Sequence, residues 1–258
     1  MRATLTFLGT GTSMGVPTLG CKCAVCCSSD PRDQRTRPSV AIEYNGRTVL
    51  IDTGPDFRQQ AIREKIDRVD AVLYTHSHAD HVLGLDDLRP LSFLNKEKPI
   101  PLYADELTAS VLRRIFDYTF SKDSKYPTSA KVELHNLQPE TELFGARFER
   151  LPVLHGDAEI NGFRFGAAAY LTDMSAIPAE TAARLGGLDI LIIDALRPAP
   201  HPTHSHLEKS LDYVAKLKPR RAYFTHMSHE VGHAAVQATL PPNVWLAHDG
   251  LKLEFDIA

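Results

Sequence analysis

The segment His76-Ser77-His78-Ala79-Asp80-His81 places four potential metal ligands within six residues. It follows the apolar stretch 71–74, which has the composition of a buried strand. Imidazole and carboxylate groups suit zinc, iron or manganese, and a tight turn after a strand can direct alternate side chains at two adjacent ions. A polar loop with chance histidines is the alternative, but the density of ligands favours a metal centre.

Three further potential ligands stand where other predicted strands end. His155 follows the stretch 148–154, Asp173 follows 163–171, and His226 follows 222–224. Each of them alone would more often be a turn residue or a histidine bonded within the protein. Because strand ends and the loops after them are where layered folds build sites, we expect the three to complete a site with the first cluster.

All four cysteines of the chain are close together, at Cys21, Cys23, Cys26 and Cys27. They are too close in sequence to form a disulfide framework, and a reducing cytosol would keep them as thiols. Clustered thiols in that setting indicate a metal site. The alternative is four buried, reduced cysteines with no ligand role.

The elements that must position these residues alternate between strands and helices. Asn45-Gly46 joins two of the predicted strands as a hairpin, and Asp249-Gly250 predicts another between 244–247 and 251–255. Apolar residues at helical spacing predict helices over Glu106 to Tyr118 and over 207–217, the second with a capping box at Ser205 and Glu208. The pattern predicts an α/β layered fold, with strands at 4–8, 40–44, 48–51, 71–74, 148–154, 163–171, 190–193 and 222–224.

Length and composition set the broad class. The chain has 258 residues, of which 43% are hydrophobic and 24% charged, so we expect one domain over 1–258. A net charge of -3 provides no general attraction for nucleic acid. The N-terminus runs directly into a predicted strand, without a signal pattern, and no apolar run is long enough to span a bilayer. These features predict a cytoplasmic protein that acts on small molecules, away from membranes.

The ligand pattern as a whole resembles that of the metallo-β-lactamase superfamily. His76-x-His78-x-Asp80-His81 is followed in order by His155, Asp173 and His226, and Ile51-Asp52-Thr53-Gly54 resembles the upstream turn of that superfamily. The resemblance implies an α/β fold of the αββα sandwich type with two divalent ions, zinc or manganese, at one edge. It assigns His76, His78 and His155 to one ion, Asp80, His81 and His226 to the other, Asp173 to a bridge between them, and Asp52 to a place behind the ligands.

A narrower resemblance comes from the N-terminal segment and a late loop. Leu8-Gly9-Thr10-Gly11-Thr12-Ser13-Met14-Gly15-Val16-Pro17 and the cysteine cluster are similar to the opening of the phosphoribosyl 1,2-cyclic phosphate phosphodiesterase (PhnP-like) family, which serves phosphonate breakdown. This resemblance implies one structural zinc held by Cys21, Cys23, Cys26 and His229. Cys27 is an extra thiol, so ligation by all four cysteines is the alternative.

The same family resemblance implies a reaction. Pro202-Thr203-His204-Ser205-His206-Leu207 aligns with the family loop whose histidine assists catalysis, which assigns that role to His204. Two ions would make a bridging hydroxide available near neutral pH as the nucleophile on a small cyclic phosphodiester. His204, just before a helix, would bind the phosphate and protonate the leaving alkoxide. Asp80 as a general base is an alternative to its role as a ligand.

Two other functions fit the same fold. A tRNA 3′-processing nuclease is one, but the sequence has no long inserted arm and its net charge is negative. A binding or carrier protein of cofactor biosynthesis is the other; a complete ligand set together with His204 favours an enzyme over it.

The remaining candidates receive weaker predictions. The segment 85–131 is expected to help form the pocket wall, and a homodimer is possible because helices carry apolar faces. We expect surface or core polar positions for His135, His201, His233 and His248, a solvent-facing helix start for His206, and uncertain pocket contacts for Asp86, Asp87, Arg89, Arg113, Arg114 and Tyr118.

Overall fold

Two seven-stranded sheets form the centre of the molecule. The computed structural model describes residues 1–95, 98–121 and 126–257. The first sheet has the order β14-β1-β2-β3-β4-β5-β6 and the second the order β13-β12-β11-β10-β9-β8-β7. The strands are β1 Arg2–Gly9, β2 Ser39–Tyr44, β3 Arg47–Ile51, β4 Ala71–Leu73, β5 Ile100–Ala104, β6 Val132–Asn136, β7 Glu140–Leu143, β8 Ala146–His155, β9 Ala158–Phe165, β10 Ala168–Leu171, β11 Ile190–Asp194, β12 Arg221–Thr225, β13 Val244–Leu246 and β14 Lys252–Asp256.

Helices cover the outer face of each sheet. One apolar cluster joins α1, α4 and the loop around Leu85 to the first sheet, and another joins α6, α7 and α8 to the second. The helices are α1 Phe57–Glu64, α2 Ala79–Val82, α3 Arg89–Leu94, α4 Glu106–Ile115, α5 Asp117–Phe120, α6 Ala179–Ala183, α7 Leu207–Leu217 and α8 His233–Gln237, with 3-10 turns at Pro31–Asp33 and Leu85–Leu88.

The main core lies between the two sheets. Phe7 and Ile42 from the first sheet meet Phe148, Phe163 and Ile190 from the second, and all five are almost fully buried. Burying each such side chain contributes about 1.5–3 kcal/mol relative to exposure. The order of layers is therefore helix, sheet, sheet, helix, which confirms the predicted αββα sandwich.

Two of the predicted β elements are wrong. The stretch 163–171 is not one strand, because the chain turns at Gly166, where φ is +57°, and returns as an antiparallel neighbour. The second predicted hairpin does not form either, since β13 pairs with β12 and β14 pairs with β1 in the other sheet. Asp249 is instead a buried carboxylate that accepts hydrogen bonds from Thr10 and Thr36.

The helix predictions are correct in position and partly wrong in detail. The first helix ends at Ile115 rather than at Tyr118, and its residue Leu107 is 70% exposed while Leu112 is buried. The second helix spans Leu207–Leu217, but its N-cap is His206, and the predicted capping box does not form. Ser205 lies outside the helix, and its hydroxyl lies 2.6 Å from that of Ser210.

Within the described ranges 1–95, 98–121 and 126–257, no helix is both long enough and apolar enough to cross a bilayer.

Candidate metal centre

The candidate ligands lie at the carboxyl ends of neighbouring strands. β10, β11 and β12 run parallel, with Leu171 opposite Ile193 and Asp194 opposite Thr225. The residues that follow these strands therefore emerge side by side, which brings Asp173 and His226 together. Such an edge is where open α/β sheets place their ligands.

The turn after β4 supplies the densest group of ligands. The strand ends at Leu73, and the short helix α2 carries Asp80 and His81 back toward the sheet. Gly54 makes this close approach possible, because a Cβ at that position would clash with the backbone carbonyl oxygen of Asp80. The backbone at this turn is therefore fitted tightly against the loop that carries Asp52.

The seven predicted ligands form two adjoining groups. Within each group, the potential ligand atoms all lie within 4.8 Å of one another. Asp173 faces both groups, because its carboxylate oxygens lie 3.2 Å from Nε2 of His81, 3.2 Å from Nε2 of His226 and 3.9 Å from Nε2 of His76. The first group is His76, His78 and His155, and the second is Asp80, His81, Asp173 and His226.

Partners behind the ligands set the orientation of two imidazoles. Nδ1 of His81 lies 2.7 Å from Oδ2 of Asp52, and the Asp52 carboxylate also accepts hydrogen bonds from the amide and the hydroxyl of Thr75. Nδ1 of His155 donates to the carbonyl oxygen of Thr203 at 2.8 Å. A metal-binding histidine typically uses its second nitrogen in this way, which leaves Nε2 free to face an ion.

Buried nitrogen atoms in the cluster lack hydrogen-bond partners among the described residues. Nε2 of His76, of His81 and of His226 is buried in this way. Buried polar atoms are normally satisfied, so each such atom needs an explanation. Divalent ions held by these nitrogens and by the carboxylates of Asp80 and Asp173 would provide it, and the donor set fits zinc or manganese.

The electrostatics of the cluster also favour bound cations. Burial alone would lower the pKa of His81 and of His226, but Asp173 and its neighbouring carboxylates outweigh burial. The pKa of His81 is held well above its ordinary value, and that of His226 rises to about 9. The buried carboxylates around His81 and His226 thus carry negative charge, which cations bound between them would neutralise.

Three residues of the site have a left-handed backbone. Asp52, Asp173 and His226 have φ values of 65°, 57° and 57°. This region of φ is unfavourable for residues with a Cβ, and such strain is concentrated at functional sites. The strand ends are therefore bent sharply enough to direct these side chains into one cluster.

The cysteine cluster lies on a separate loop beside this centre. Sγ atoms of Cys21, Cys23 and Cys26 lie 3.2, 3.5 and 3.6 Å from Nδ1 of His229. A hydrogen bond from the amide of Cys26 lowers the pKa of Cys23 to about 6, which favours the thiolate that a metal binds. Cys27 is exposed and lies outside this group.

His204 lies next to the histidine-aspartate cluster, and its partner is a residue that the sequence did not reveal. Nδ1 of His204 lies 2.9 Å from Oδ2 of the fully buried Asp194, which is also 3.9 Å from Nδ1 of His226. The His204 ring stacks on that of His226 at 4.8 Å. Burial lowers the pKa of His204 to about 4 and raises that of Asp194.

The atoms of Asp194, His204 and His226 also lie close enough to one another to hold a metal. However, Nε2 of His226 already faces Asp173, so the atoms that face Asp194 are the outward Nδ1 nitrogens of both histidines. A carboxylate that orients two imidazoles accounts for this arrangement. Asp194 follows the pattern of the other site residues, since it ends a predicted strand, and that pattern could have identified it.

A pocket of about 210 Å³ opens beside His204 and His226. Its wall comes from residues 12–14, the loop after β11 and the loop after β12, including Arg197, His201 and Glu230. The sequence predicted that 85–131 would help form the pocket wall, but the wall of this pocket comes from other parts of the chain. Residues 96, 97 and 122–125 of that segment lie outside the described residues.

The other histidines occupy varied positions. The sequence predicts no role for His201, yet its ring lies 5.2 Å from the ring of His204. His233 is buried, as expected for a core polar residue, while His135 is partly exposed and lies 3.7 Å from Glu133. His206 is the N-cap of α7.

Comparison with known proteins gives a consistent result for the fold. A family model described as the β-lactamase superfamily domain matches residues 47–227. A crystal structure described as that of a new diphosphatase from the PhnP family is 56% identical, with a TM-score of 0.94, and the match covers 100% of this chain and 98% of that one.

Two curated relatives are longer than this chain. An octanoyltransferase of Porphyromonas gingivalis is 38% identical over 96% of this chain and 51% of its own length. A ribonuclease Z of Methanococcus maripaludis is 28% identical over 58% of this chain and 45% of its own length. The chain therefore spans about half the length of these two relatives.

Proposed function

Because the chain belongs to the β-lactamase superfamily and is PhnP-like, we propose that it is a metal-dependent hydrolase of small phosphodiesters. The observation that carries this proposal is His204, which is held by Asp194 beside the ligand cluster. The cluster alone fits many hydrolases of this fold. A phosphodiester, however, releases an alcohol, and a positioned imidazole can supply the proton that this leaving group needs.

The ligand assignments follow the geometry of the two groups. When bound, two divalent ions would activate a water molecule and neutralise charge on the phosphoryl oxygens. Asp173 would contact both ions, since its carboxylate lies 3.9 Å from Nε2 of His76 in the first group and 3.2 Å from Nε2 of His81 in the second. In this proposal His76, His78 and His155 hold one ion, and Asp80, His81 and His226 hold the other.

Asp194 would fix the tautomer and orientation of His204. Its Oδ2 accepts from Nδ1 of His204, which leaves Nε2 for the substrate side. The same carboxylate would stabilise the imidazolium form that donates a proton, and so oppose the burial that lowers the pKa of His204 to about 4. Asp80 then acts as a ligand, and the proposal needs no base at that position.

The leaving group provides the sharpest test of His204. We expect His204→Ala to lower kcat by about 10²–10⁴-fold for a diester that releases an alkoxide. The loss should be far smaller for a diester that releases 4-nitrophenolate, a weak base that needs no proton. Metal content, measured by mass spectrometry, should stay at the wild-type level. His135→Ala, at a partly exposed histidine, is the matched control. An equal loss with both leaving groups would contradict the role of His204.

We propose a cyclic phosphodiester such as 5-phosphoribosyl 1,2-cyclic phosphate as the substrate. Phosphorus NMR of this ester with manganese-loaded protein, beside a 2′,3′-cyclic nucleotide and a His76→Ala control, tests the choice directly. Rapid opening of the ribosyl ester with slow opening of the nucleotide supports it. If neither ring opens, the phosphodiesterase proposal fails.

Hydrolysis of a diphosphate is the second candidate, and it is favoured by the 56% identity to a protein described as a diphosphatase. A diphosphate releases a phosphate, which is a much weaker base than an alkoxide. His204→Ala should then have little effect on diphosphate cleavage while metal-ligand variants abolish it. Cleavage of a diphosphate diester alone, with the cyclic ester left intact, would replace the first candidate by the second.

The remaining parts of the proposal concern the state of the protein. We propose one domain, a cytoplasmic location, and zinc or manganese at the histidine-aspartate cluster with a structural zinc at Cys21, Cys23, Cys26 and His229. The exposed Leu107 and Ile115 on α4 are compatible with a homodimer. Nuclease activity on tRNA precursors is the outcome that would favour the ribonuclease Z alternative, and tight cofactor binding without turnover would favour a carrier protein.

A further inference from the structure

The pocket beside His204 is small, and most of the residues that line it have polar or charged side chains. Its volume of about 210 Å³ lies below the 300–1,000 Å³ that is usual for sites enclosing a whole drug-sized ligand. It opens next to His204 and His226, at the edge of the histidine-aspartate cluster. The pocket therefore has room for one group of a substrate whose reacting phosphorus lies over the cluster.

Arg197 in the pocket wall is held in place while its charge stays largely uncompensated. Its Nε donates to the carbonyl oxygen of Ala199 at 3.2 Å, and its Nη2 donates to that of Pro200 at 3.0 Å. Its carboxylate partner among the described residues is Glu230, whose Oε1 lies 3.5 Å from Nη1. This pair is partly exposed and long, so the attraction is weak.

His201 adds a hydrogen-bond donor to the same wall. Its Nδ1 accepts from the amide of Thr203 at 3.3 Å and lies 3.2 Å from the hydroxyl of that residue. With Nδ1 as the acceptor, the proton of the neutral ring is on Nε2. The ring lies 5.2 Å from that of His204, so this donor stands beside the group that would meet the leaving oxygen.

We infer that Arg197 and His201 bind a second phosphate group of the substrate, one that is not cleaved. This inference rests on the proposed function of the adjoining cluster. A guanidinium binds phosphate through paired hydrogen bonds, and His201 supplies one more donor. The second phosphate is either a phosphate on the sugar of a cyclic ester or the distal phosphate of a diphosphate; both present anionic phosphoryl oxygens to this wall.

Matched substrates test this assignment. We would measure kcat/KM for 5-phosphoribosyl 1,2-cyclic phosphate and for ribose 1,2-cyclic phosphate, which lacks the second phosphate. In the same way, a diphosphate diester is paired with the phosphate diester of the same alcohols. In one of the two substrate pairs, the variants should lose the preference for the substrate that has the second phosphate. That pair shows whether the second phosphate is on a sugar or belongs to a diphosphate.

The expected result is a change in selectivity. Arg197→Met should reduce the preference for the phosphorylated ester by about 10- to 100-fold, mainly through KM, since a hydrogen bond to a charged group is lost. Glu230→Gln should lower the KM of that ester, because it removes the opposing carboxylate. Arg147→Met, at an arginine in a different pocket, should keep the wild-type preference.

Other results would overturn the inference. An equal loss of kcat/KM on both esters in Arg197→Met would mean that Arg197 only supports the loop. A raised KM in Glu230→Gln would also contradict the inference, because removing a negative charge should strengthen the binding of an anion. If the wild-type protein cleaves none of the esters, the proposed function fails by itself. Calorimetric binding of ribose 5-phosphate to the metal-loaded wild type and to Arg197→Met then decides the subsite separately, and equal affinities would refute it.

Discussion

The histidine-aspartate cluster and the cysteine cluster differ in what holds their ligands in place. Five of the seven residues in the first are buried, and they follow strands that belong to the core. The second lies on a loop between β1 and β2, where Cys21 and Cys23 are half-buried and only Cys26 is buried. One site is built into the sandwich, and the other lies on its surface.

The partners of the ligands differ in the same way. Asp52, Thr75 and the carbonyl oxygen of Thr203 hold ligands of the histidine-aspartate cluster without being ligands themselves. In the cysteine cluster, three thiols contact His229, and the amide of Thr18 is a non-ligand group that donates to Sγ of Cys26. The fold therefore gives more support to the first site than to the second, and the zinc that we propose at the second would add rigidity to its loop.

The largest effect is expected from Asp173, the residue of the histidine-aspartate cluster that faces both groups of ligands. Asp173→Asn should lower kcat by about 10³-fold or more and reduce metal content, because the amide removes charge that faces His81 and His226. Circular dichroism should show an unchanged fold. Asp212→Asn, at an exposed position on α7, is the matched control. Full activity in Asp173→Asn would refute a bridging role.

A smaller effect is expected from the carboxylate behind the ligands. Asp52→Asn should weaken metal affinity by about 10- to 100-fold. An amide has a single acceptor oxygen, so it cannot accept all the hydrogen bonds that the carboxylate accepts from Thr75 and His81. Activity should recover as the metal concentration is raised, and titration of activity against manganese measures this. A loss that no metal concentration reverses would show that Asp52 does more than orient His81.

The structure brings the seven candidate ligands together, and the rule by which the sequence selected them is local. Each ligand follows an apolar stretch, and β-strands make such stretches recognisable. Asp194 obeys the same rule, but its partner His204 is ten residues away on a loop, and no spacing pattern links the two. The position of His201 beside His204 cannot be predicted from the sequence for a similar reason. The turn 197–203 brings the two rings together, and its shape is set by contacts of Arg197 and Thr203 with nearby backbone and side-chain atoms.

The two wrong strand predictions also arise because contacts between distant segments decide the outcome. The stretch 163–171 is apolar except for Arg164, so the turn at Gly166 is hidden between the buried residues Phe165 and Ala168. β13 and β14 are adjacent in sequence but join opposite sheets, and the buried Asp249 between them bonds to Thr10 and Thr36. Pairings between distant segments depend on the assembled core, which a local pattern does not contain.

A moderate effect is expected from the cysteine cluster. Cys26→Ser should remove one metal ion per chain and lower the Tm by a few degrees, since about 1 kcal/mol shifts the Tm by about 2–4 °C in a chain of this size. Activity should fall by less than about tenfold, because no ligand of the histidine-aspartate cluster changes. Limited proteolysis should begin in the loop between β1 and β2. Loss of all three metals would contradict the independence of the two sites.

The smallest effect is expected from Cys27, the residue after Cys26. Cys27 is exposed and lies outside the group formed by Cys21, Cys23, Cys26 and His229. Cys27→Ser should therefore leave metal content and activity at wild-type values, and its free energy of unfolding should stay within about 0.5 kcal/mol of wild type. Metal analysis beside Cys26→Ser makes the comparison direct. If Cys27→Ser also loses the ion, Cys27 is a ligand as well, and all four thiols compete for the metal. Metal binding would then change the conformation of this loop, a change that the buried histidine-aspartate cluster has no room to make.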